Sequence, residues 1–349
     1  MQHIHGGDIY STPGMIDYSA NLNPLGMPGA AITAAAAAIA RPACYPDPHC
    51  RELRRALAAA KGVNPDHIVF GNGAADLIFR LPIALRPAAA LLPAPTFYEY
   101  TQALRTVGCT VCRHLLQAGQ GFRLDESILD SITPVTDIVF ICNPNNPTGC
   151  LTPRPLLHRI LQKCAENDAL LVVDECFLDF VDQPEQFTMR PLLQRPEGQH
   201  LFILGAFTKI YAMAGLRLGY GLCANRELIG RIEACGQPWS VSTPAQAAGV
   251  AALGDTEYLS RTRRLIADER TFLADGLTAL GFTVYPPAAN YIFFTGPPAL
   301  VDACRAHGYM IRDCRNYDNL QPGCFRIAVR THSENAAFLA MLQTAAAEL

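Results

Sequence analysis

Short, continuously apolar runs recur along the first two thirds of the chain, and many are separated by amphipathic stretches of helical period. Apolar runs without alternation are typical of strands covered on both faces, and helices between them favour a parallel sheet. The pattern predicts an α/β fold whose large domain contains a mainly parallel seven-stranded sheet. The predicted strands are residues 67–70, 89–92, 106–112, 137–142, 169–173, 201–204 and 218–223, with helices at residues 51–61, 155–167 and 226–235 among them.

The pattern changes near residue 255, where a long, charged amphipathic helix is predicted to run to residue 279. Short strands and a terminal helix follow, and this grouping indicates a smaller α+β domain. We therefore predict an N-terminal arm of residues 1–30, a large domain of residues 31–240 and a small domain of residues 241–349. The short strands are predicted at residues 282–285, 291–294, 310–313 and 325–329, and the terminal helix at residues 333–349.

Charge and composition narrow the class of protein. The net charge of −3 and pI of about 6.3 do not favour nucleic acid or an anionic membrane as a partner. The longest small-apolar run, residues 30–40, is too short to span a bilayer, and the N-terminus lacks the features of a secretory signal. The thirteen cysteines, an odd number, indicate free thiols in a reducing compartment. We expect a soluble, cytoplasmic protein.

The pair Cys109 and Cys112 has the spacing of half a zinc site. A structural zinc site needs a second pair, and none follows at suitable spacing. The segment also has the pattern of a strand, in which positions three apart point to opposite faces. We therefore expect no metal.

Two glycine-containing segments follow predicted strands. Gly71-Asn72-Gly73-Ala74 opens a helix, where free N–H groups and a close backbone approach suit a phosphate at Gly73 and Ala74, although a plain strand-to-helix turn has the same composition. The segment from Asn143 to Gly149 has three asparagines and two prolines directly after a buried strand. α/β proteins bind ligands at that end of a sheet, so an asparagine of this segment, Asn146, is a candidate ligand-binding residue.

Two further candidates lie at strand ends. Phe97 follows an apolar run and either stacks on a flat ring or covers the edge of the core. Asp174 ends the run of residues 170–173, where a carboxylate is costly to bury unless it meets a cation. A protonated pyridine nitrogen would be such a cation, and a helix N-cap is the other interpretation.

Lys209 lies among apolar residues, with Thr208 before it and Arg217 eight residues after it. A lone lysine is usually a solvated surface residue. Here it follows the glycine turn, the asparagine segment and Asp174 in that order. Together they supply a lysine that bonds a cofactor aldehyde, a carboxylate for its ring nitrogen and a phosphate site completed by Thr208 and Arg217. These are the parts needed to hold pyridoxal phosphate (PLP).

The Asn-Pro-Thr-Gly segment, Asp174 and the Thr-Lys…Gly-Leu-Arg segment resemble those of the fold-type I PLP enzymes, and within them the histidinol-phosphate aminotransferase group. The resemblance covers essentially the whole chain. It implies a fold-type I large domain with a smaller α+β domain, PLP as cofactor, and a homodimer in which Tyr45 reaches the cofactor phosphate of the neighbouring subunit. It also implies that the N-terminal arm closes over the active site. The family often has serine where this chain has Ala206, so Thr208 and Arg217 are expected to bind more of the phosphate.

Three further features resemble the threonine-phosphate decarboxylases of cobalamin biosynthesis. They are the segment His5-Gly6-Gly7-Asp8 followed by Ser19-Ala20-Asn21, Phe177 where many histidinol-phosphate enzymes have tyrosine, and the segments that contain Arg312 and Arg326. The resemblance implies a pocket for O-phospho-L-threonine lined by His5, Gly6, Asn21, Asn146, Arg312 and Arg326, with Phe177 at the cofactor.

Two reactions remain open at this point. The bond broken at the substrate Cα is the one held perpendicular to the cofactor ring. If the arginines hold the carboxylate there, CO2 leaves, and if the Cα–H bond lies there with Lys209 as base, transamination follows. The expected activity is decarboxylation of O-phospho-L-threonine, and an aminotransferase for histidinol phosphate or a related amino acid is the alternative.

Overall fold

Thirteen strands in three sheets, with helices packed around them, form the part of the chain that the computed structural model describes, residues 6–40 and 44–347. The strands are β1 (Ile16–Asp17), β2 (Ile68–Asn72), β3 (Ala89–Ala94), β4 (Thr110–Leu115), β5 (Ile138–Cys142), β6 (Leu170–Asp174), β7 (Leu201–Ala206), β8 (Leu218–Cys223), β9 (Thr283–Val284), β10 (Tyr291–Thr295), β11 (Tyr309–Met310), β12 (Arg312–Asp313) and β13 (Cys324–Ala328).

The helices match the amphipathic stretches of the sequence closely, and the predicted helix over residues 51–61 has those bounds. No helix within the described ranges is long and apolar enough to cross a membrane. The helices are α1 (Gly29–Ile39), α2 (Arg51–Lys61), α3 (Ala74–Leu85), α4 (Glu99–Arg105), α5 (Ile128–Ser131), α6 (Arg154–Glu166), α7 (Phe207–Ile210), α8 (Arg226–Ala234), α9 (Thr243–Leu253), α10 (Thr256–Ala279), α11 (Leu300–Ala306) and α12 (His332–Ala347).

The central sheet has seven strands in the order β2-β8-β7-β6-β5-β3-β4. Only β8 runs antiparallel to its neighbours, so the prediction of a mainly parallel seven-stranded sheet is confirmed. The strands β5, β6 and β7 are buried along their whole length because helices cover both faces. Their carboxyl ends meet at one edge, and this edge positions the candidate site.

The predicted strand over residues 106–112 is wrong in its first part. Thr106, Val107 and Gly108 donate backbone hydrogen bonds to the last carbonyls of α4, and Gly108 turns the chain at φ 76°. The β-branched pair at 106–107 resembles a strand in sequence, but the helix end takes its backbone groups. The strand β4 begins at Thr110, with Cys109 buried before it and Cys112 exposed on it.

The predicted strand over residues 310–313 divides between two sheets. β11 pairs in parallel with β1, whereas β12 joins the four-stranded antiparallel sheet of order β12-β13-β10-β9. Ile311 is buried between the two short strands. A continuous run of four residues does not reveal that its backbone changes partners, because each half pairs with a strand distant in sequence. The division into domains at residues 30 and 240 stays a prediction.

The packing of β8 against β7 predicts the effect of substituting Gly221, and Gly230 outside this contact provides a control. A Cβ on Gly221 would lie 2.1 Å from the Phe202 ring, so Gly221→Ala should lower the free energy of unfolding by about 1–3 kcal/mol. Gly230, inside α8, meets no atom within 4 Å of its added Cβ. Gly230→Ala is the control and should raise stability by roughly 0.5–1 kcal/mol. Chemical denaturation measures both, and equal effects would contradict the packing.

Candidate active site

A pocket of about 240 Å³ opens at the carboxyl edge of the central sheet and is bounded on the other side by β12 and β13. Its walls are formed by residues of the glycine turn, the asparagine segment, the end of β6, α7 and the small sheet. Twelve of the predicted site residues therefore come together. They are Gly6, Asn21, Ala74, Phe97, Asn146, Asp174, Phe177, Thr208, Lys209, Arg217, Arg312 and Arg326.

One end of the pocket has the features of a phosphate site. Gly73 has φ 79° and precedes α3 without a side-chain cap, so N–H groups of the first helical turn remain to bind an anion. A Cβ on Gly73 would lie 2.6 Å from Nη2 of Arg217, and a Cβ on Gly219 would lie 2.2 Å from the Ala74 nitrogen. The glycines thus let a helix start and a guanidinium approach each other, with Thr208 buried on the same pocket wall.

Asp174 lies at the end of β6 with both carboxylate oxygens engaged. The Tyr100 hydroxyl donates to Oδ2 at 2.6 Å, and the Cys176 backbone N–H donates to Oδ1 at 2.9 Å. Among the described residues no cation forms a salt bridge with this buried carboxylate. A carboxylate buried in this way is suited to a cationic group of a ligand in the pocket.

Asn146 is the one asparagine of its segment that lines the pocket. Asn143 bonds the Thr152 backbone in both directions, and Asn145 bonds Thr96, Thr148 and the Pro95 carbonyl. The Asn146 oxygen accepts from Nη1 of Arg326 and from the hydroxyl of Tyr317 at 3.4 Å. Its amide nitrogen is therefore the atom suited to donate to a ring oxygen of a ligand.

Lys209, on the short helix α7, is the nucleophile that the pocket offers. Desolvation, followed by the positive charges of Arg326 and Arg217, lowers the pKa of Lys209 to about 8. A free amine with that pKa has a far larger neutral fraction near physiological pH than an ordinary lysine has, although the ammonium form still predominates. Neutral amine is the form that attacks an aldehyde or accepts a proton.

Arg312 and Arg326 are directly opposite each other on β12 and β13, and both are buried. The Arg312 guanidinium donates to Asn316 and lies over the Tyr317 ring. The Arg326 guanidinium donates to the Ser19 carbonyl and to Asn146. Like charges opposite each other destabilise a strand pair, so this arrangement is suited to anions that lie between them.

Nε of Arg326 and Oδ1 of Asn21 are buried at the pocket and have no hydrogen-bond partner among the described residues. Buried polar groups without partners are rare in proteins, and at a pocket wall they indicate atoms reserved for a ligand. One is a donor and the other an acceptor.

The N-terminal segment packs against the side of the pocket that contains Arg326. The Gly7 N–H donates to Ser19 Oγ at 2.7 Å, and a Cβ on Gly6 would lie 2.5 Å from the Ser19 carbonyl oxygen. His5, predicted to bind substrate, lies outside the described residues. Tyr45 does not line the pocket of its own chain: its ring is 75% exposed and stacks on Trp239 at 4.2 Å.

Three buried residues in or near the pocket are not among those predicted from the sequence. Tyr100 holds Asp174, while Glu99 and Tyr317 line the pocket wall. Tyr100 lies at the start of α4 and follows Phe97, just before the helix, by three residues, and this short aromatic cluster after β3 was the available signal. Within the described residues, no group of three or more histidine, cysteine or acidic side chains is arranged to hold a metal ion.

Comparison with known proteins gives the family. Residues 13–342 match the family described as aminotransferase class I and II. The chain belongs to this family. The threonine-phosphate decarboxylase of Salmonella typhimurium is 35% identical over 97% of this chain and 95% of its own length. A histidinol-phosphate aminotransferase of an Anaeromyxobacter species is 34% identical over 95% of this chain and 91% of its own length.

Solved structures agree with this family. The histidinol-phosphate aminotransferase of Clostridium acetobutylicum superposes with a TM-score of 0.88 at 29% identity, covering 95% of this chain and 99% of the other. The L-threonine-O-3-phosphate decarboxylase of Porphyromonas gingivalis superposes with a TM-score of 0.80 at 25% identity, covering 94% and 98%. The chain is thus a PLP-dependent enzyme of the fold-type I class, as predicted.

The pocket fits PLP on its own chemistry. The glycine-lined start of α3 with Arg217 suits the phosphate, Asp174 suits the pyridine nitrogen, and Lys209 suits the aldehyde. Phe97 and Phe177 add apolar surface for a ring. These individual roles remain proposals.

The lowered pKa of Lys209 predicts how the apoenzyme attaches PLP. Attachment needs the neutral amine, so its rate should rise with pH through about 8 rather than near the ordinary lysine value of about 10.4. In Arg326→Met one positive charge is lost, and the midpoint should move to higher pH. Stopped-flow absorbance of PLP mixing with apoenzyme measures both profiles.

The exposed Arg226 provides the matched control for this experiment. Arg226→Met should keep the parental midpoint, since Arg226 pairs with Asp66 on the surface. A parental midpoint near the ordinary lysine value would contradict the electrostatic environment described for Lys209.

Proposed function

We propose that this enzyme decarboxylates O-phospho-L-threonine to 1-amino-2-propanol O-2-phosphate, a reaction of cobalamin biosynthesis. The observation that carries the proposal is the buried arginine pair, Arg312 opposite Arg326 in the strand register. A substrate with a phosphate and a carboxylate presents two anions to two guanidinium groups. The similarity to the Salmonella typhimurium decarboxylase supports the same choice.

Different residues of the chain bind the cofactor, bind the substrate and transfer the proton. Bound PLP supplies an electron-withdrawing ring that stabilises negative charge at the substrate Cα. Asp174 keeps the ring nitrogen protonated, and Asn146 donates to the ring oxygen. Arg312 and Arg326 bind the two substrate anions. As the bond from Cα to the carboxyl carbon breaks and CO2 leaves, the Lys209 ammonium is the proton donor to Cα.

The N-terminal segment completes the substrate side. Gly6 lies against Ser19, whose carbonyl also accepts from Nη2 of Arg326 at 2.8 Å. The segment therefore contacts the same backbone group that orients the arginine. We propose that residues 1–30 close over bound substrate through this contact and exclude water while the carboxylate is held.

Histidinol-phosphate transamination is the second candidate, because histidinol-phosphate aminotransferases are nearly as similar in sequence to this chain as the threonine-phosphate decarboxylases. It uses the same lysine, aspartate and arginines with a proton, instead of a carboxyl group, leaving Cα. It requires an amino acceptor such as 2-oxoglutarate.

Incubation of the holoenzyme with O-phospho-L-threonine tests the proposal directly. We expect release of about one CO2 per substrate consumed without any oxo acid, as decarboxylation needs no amino acceptor. Histidinol phosphate with 2-oxoglutarate is the parallel assay. Turnover in that assay alone would replace the decarboxylase with the aminotransferase.

Arginine variants test the substrate clamp. Removing one partner of a desolvated charged contact typically costs about 2–5 kcal/mol, so Arg326→Ala should lower kcat/KM by about 30-fold or more while the enzyme still binds PLP. Arg312→Ala should act in the same direction. Arg315→Ala, an exposed arginine that pairs with Asp313 in the same connection, is the control. Near-parental kcat/KM in both buried-arginine variants would refute this clamp.

We further propose that the active enzyme is a homodimer in which Tyr45 completes the neighbouring site. Tyr45 is far more exposed than a tyrosine of its own pocket would be, and its ring is already ordered by Trp239. An exposed aromatic pair of this kind is suited to an interface. A site shared between subunits requires two-fold symmetry.

Mixing two inactive variants tests this sharing. Lys209→Ala removes the nucleophile, and Tyr45→Ala removes the residue supplied in trans. Co-refolded mixtures should regain activity, because one site of each heterodimer then combines Lys209 of one chain with Tyr45 of the other. Sedimentation checks that the variants still assemble, and an assembled mixture with no gain in activity would exclude the sharing.

A further inference from the structure

Tyr100 is a fully buried tyrosine whose hydroxyl contacts Asp174, the carboxylate proposed to pair with the pyridine nitrogen. Its relative exposure is 0%, and its O–H donates to Oδ2 of Asp174 at 2.6 Å. A hydrogen bond to an ionised acceptor is shorter and stronger than one between neutral groups. This contact has that length and lies beneath the pocket.

The contact depends on the order of the strands. Tyr100 belongs to α4, which follows β3, whereas Asp174 ends β6. The strand β5 lies between β3 and β6 in the sheet. The tyrosine therefore reaches across the end of β5 to meet a residue 74 positions later in sequence.

Ring packing fixes the direction in which the hydroxyl points. The Tyr100 ring stacks on Phe140 of β5, with centroids 4.9 Å apart and planes inclined by 19°. Phe97 meets it edge to face at 5.4 Å, and Phe97 also lines the pocket. A ring held on two sides directs its hydroxyl at Asp174, with the Cys142 thiol also in reach, so the carboxylate is oriented by a rigid element rather than by a mobile side chain.

The hydroxyl is a permanent donor. Burial, and after it the charge of Asp174, raises the pKa of Tyr100 well above its ordinary value. The phenol thus stays protonated throughout the working range of an enzyme. With the Cys176 N–H on Oδ1, each oxygen of Asp174 accepts a hydrogen bond from a fixed donor.

We propose that Tyr100 is a positioning residue for the cofactor: through Asp174 it fixes the carboxylate that pairs with the pyridine nitrogen. This inference rests on the proposed role of Asp174, but it is independent of the substrate and of the choice between decarboxylation and transamination. Tyr100 itself does not line the pocket; it acts through the carboxylate.

Titration of apoenzyme with PLP, without substrate, tests the proposal. Tyr100→Phe keeps the ring and its packing and removes only the hydroxyl. The loss of a hydrogen bond to a charged group predicts a Kd for PLP about 10- to 100-fold weaker. Tyr258→Phe is the matched control, since Tyr258 is also buried, donates to the Gly26 carbonyl and does not line the pocket. Its Kd for PLP should equal that of the parent.

A double-mutant cycle separates positioning from general stabilisation. If Tyr100 acts through Asp174, adding Tyr100→Phe to Asp174→Asn should weaken PLP binding by no more than about threefold. A purely structural role would lower the melting temperature and leave the Kd for PLP unchanged. Either that result or an undiminished loss in the Asp174→Asn background overturns the proposal.

A second variant tests the proposal if Tyr100→Phe does not fold. Site-specific 3-fluorotyrosine at position 100 keeps the shape of the side chain, and its more acidic hydroxyl donates a stronger hydrogen bond. It should bind PLP at least as tightly as the parent, and weaker binding by the folded protein would overturn the proposal. Since no substrate is present, failure of the proposed decarboxylation leaves all of these measurements readable.

Discussion

The burial of two guanidinium groups opposite each other is the constraint on which the substrate side of the structure depends. Arg312 and Arg326 face each other across β12 and β13, where like charges repel. The surrounding chain offsets this with neutral acceptors: the Ser19 carbonyl, the Asn146 oxygen and the Asn316 oxygen. These three acceptors carry no net charge, so they orient the guanidinium groups without themselves neutralising them.

The end of the pocket that contains Asp174 has the opposite constraint, because there a negative charge is buried. A carboxylate, Asp174, is held by the fixed donors Tyr100 and Cys176, and the anion site is formed by a helix start brought close to Arg217 by glycines. The large sheet and its connections supply this half, and the small sheet supplies the arginines. Lys209 lies between these two halves of the pocket. Burial, followed by the charges of Arg326 from one half and Arg217 from the other, lowers the pKa of Lys209.

Much of this was accessible from the sequence, because the relevant residues follow apolar strands that end at one edge. Asp174 is the last residue of such a strand, Asn146 and Lys209 follow two others within four residues, and parallel strands bring their carboxyl ends together. Tyr100 was not accessible in the same way, since its contact with Asp174 depends on β5 lying between β3 and β6. Chain order does not determine that spatial order.

The errors in the predicted strand bounds also arise from contacts with parts of the chain that the local sequence pattern does not reveal. Residues 106–109 have the composition of a strand, but their N–H groups are already used by the end of α4. Residues 310–313 form one apolar-to-charged run whose halves pair with β1 and β13. The choice between two reactions lies further beyond sequence patterns, because it depends on the angle at which one substrate bond meets the cofactor plane.

The pairing of β12 with β13 makes the length of the connection between them as important as its residues. In the observed register Arg312 is opposite Arg326, and Asp313 is opposite Phe325. A slip of one residue would bring Asp313 opposite Arg326, replacing a repulsive pair by a neutralised one and turning Arg312 to the other face. A change in the connection that shifted the register in this way would separate the two guanidinium groups without altering any residue at the Asp174 end of the pocket.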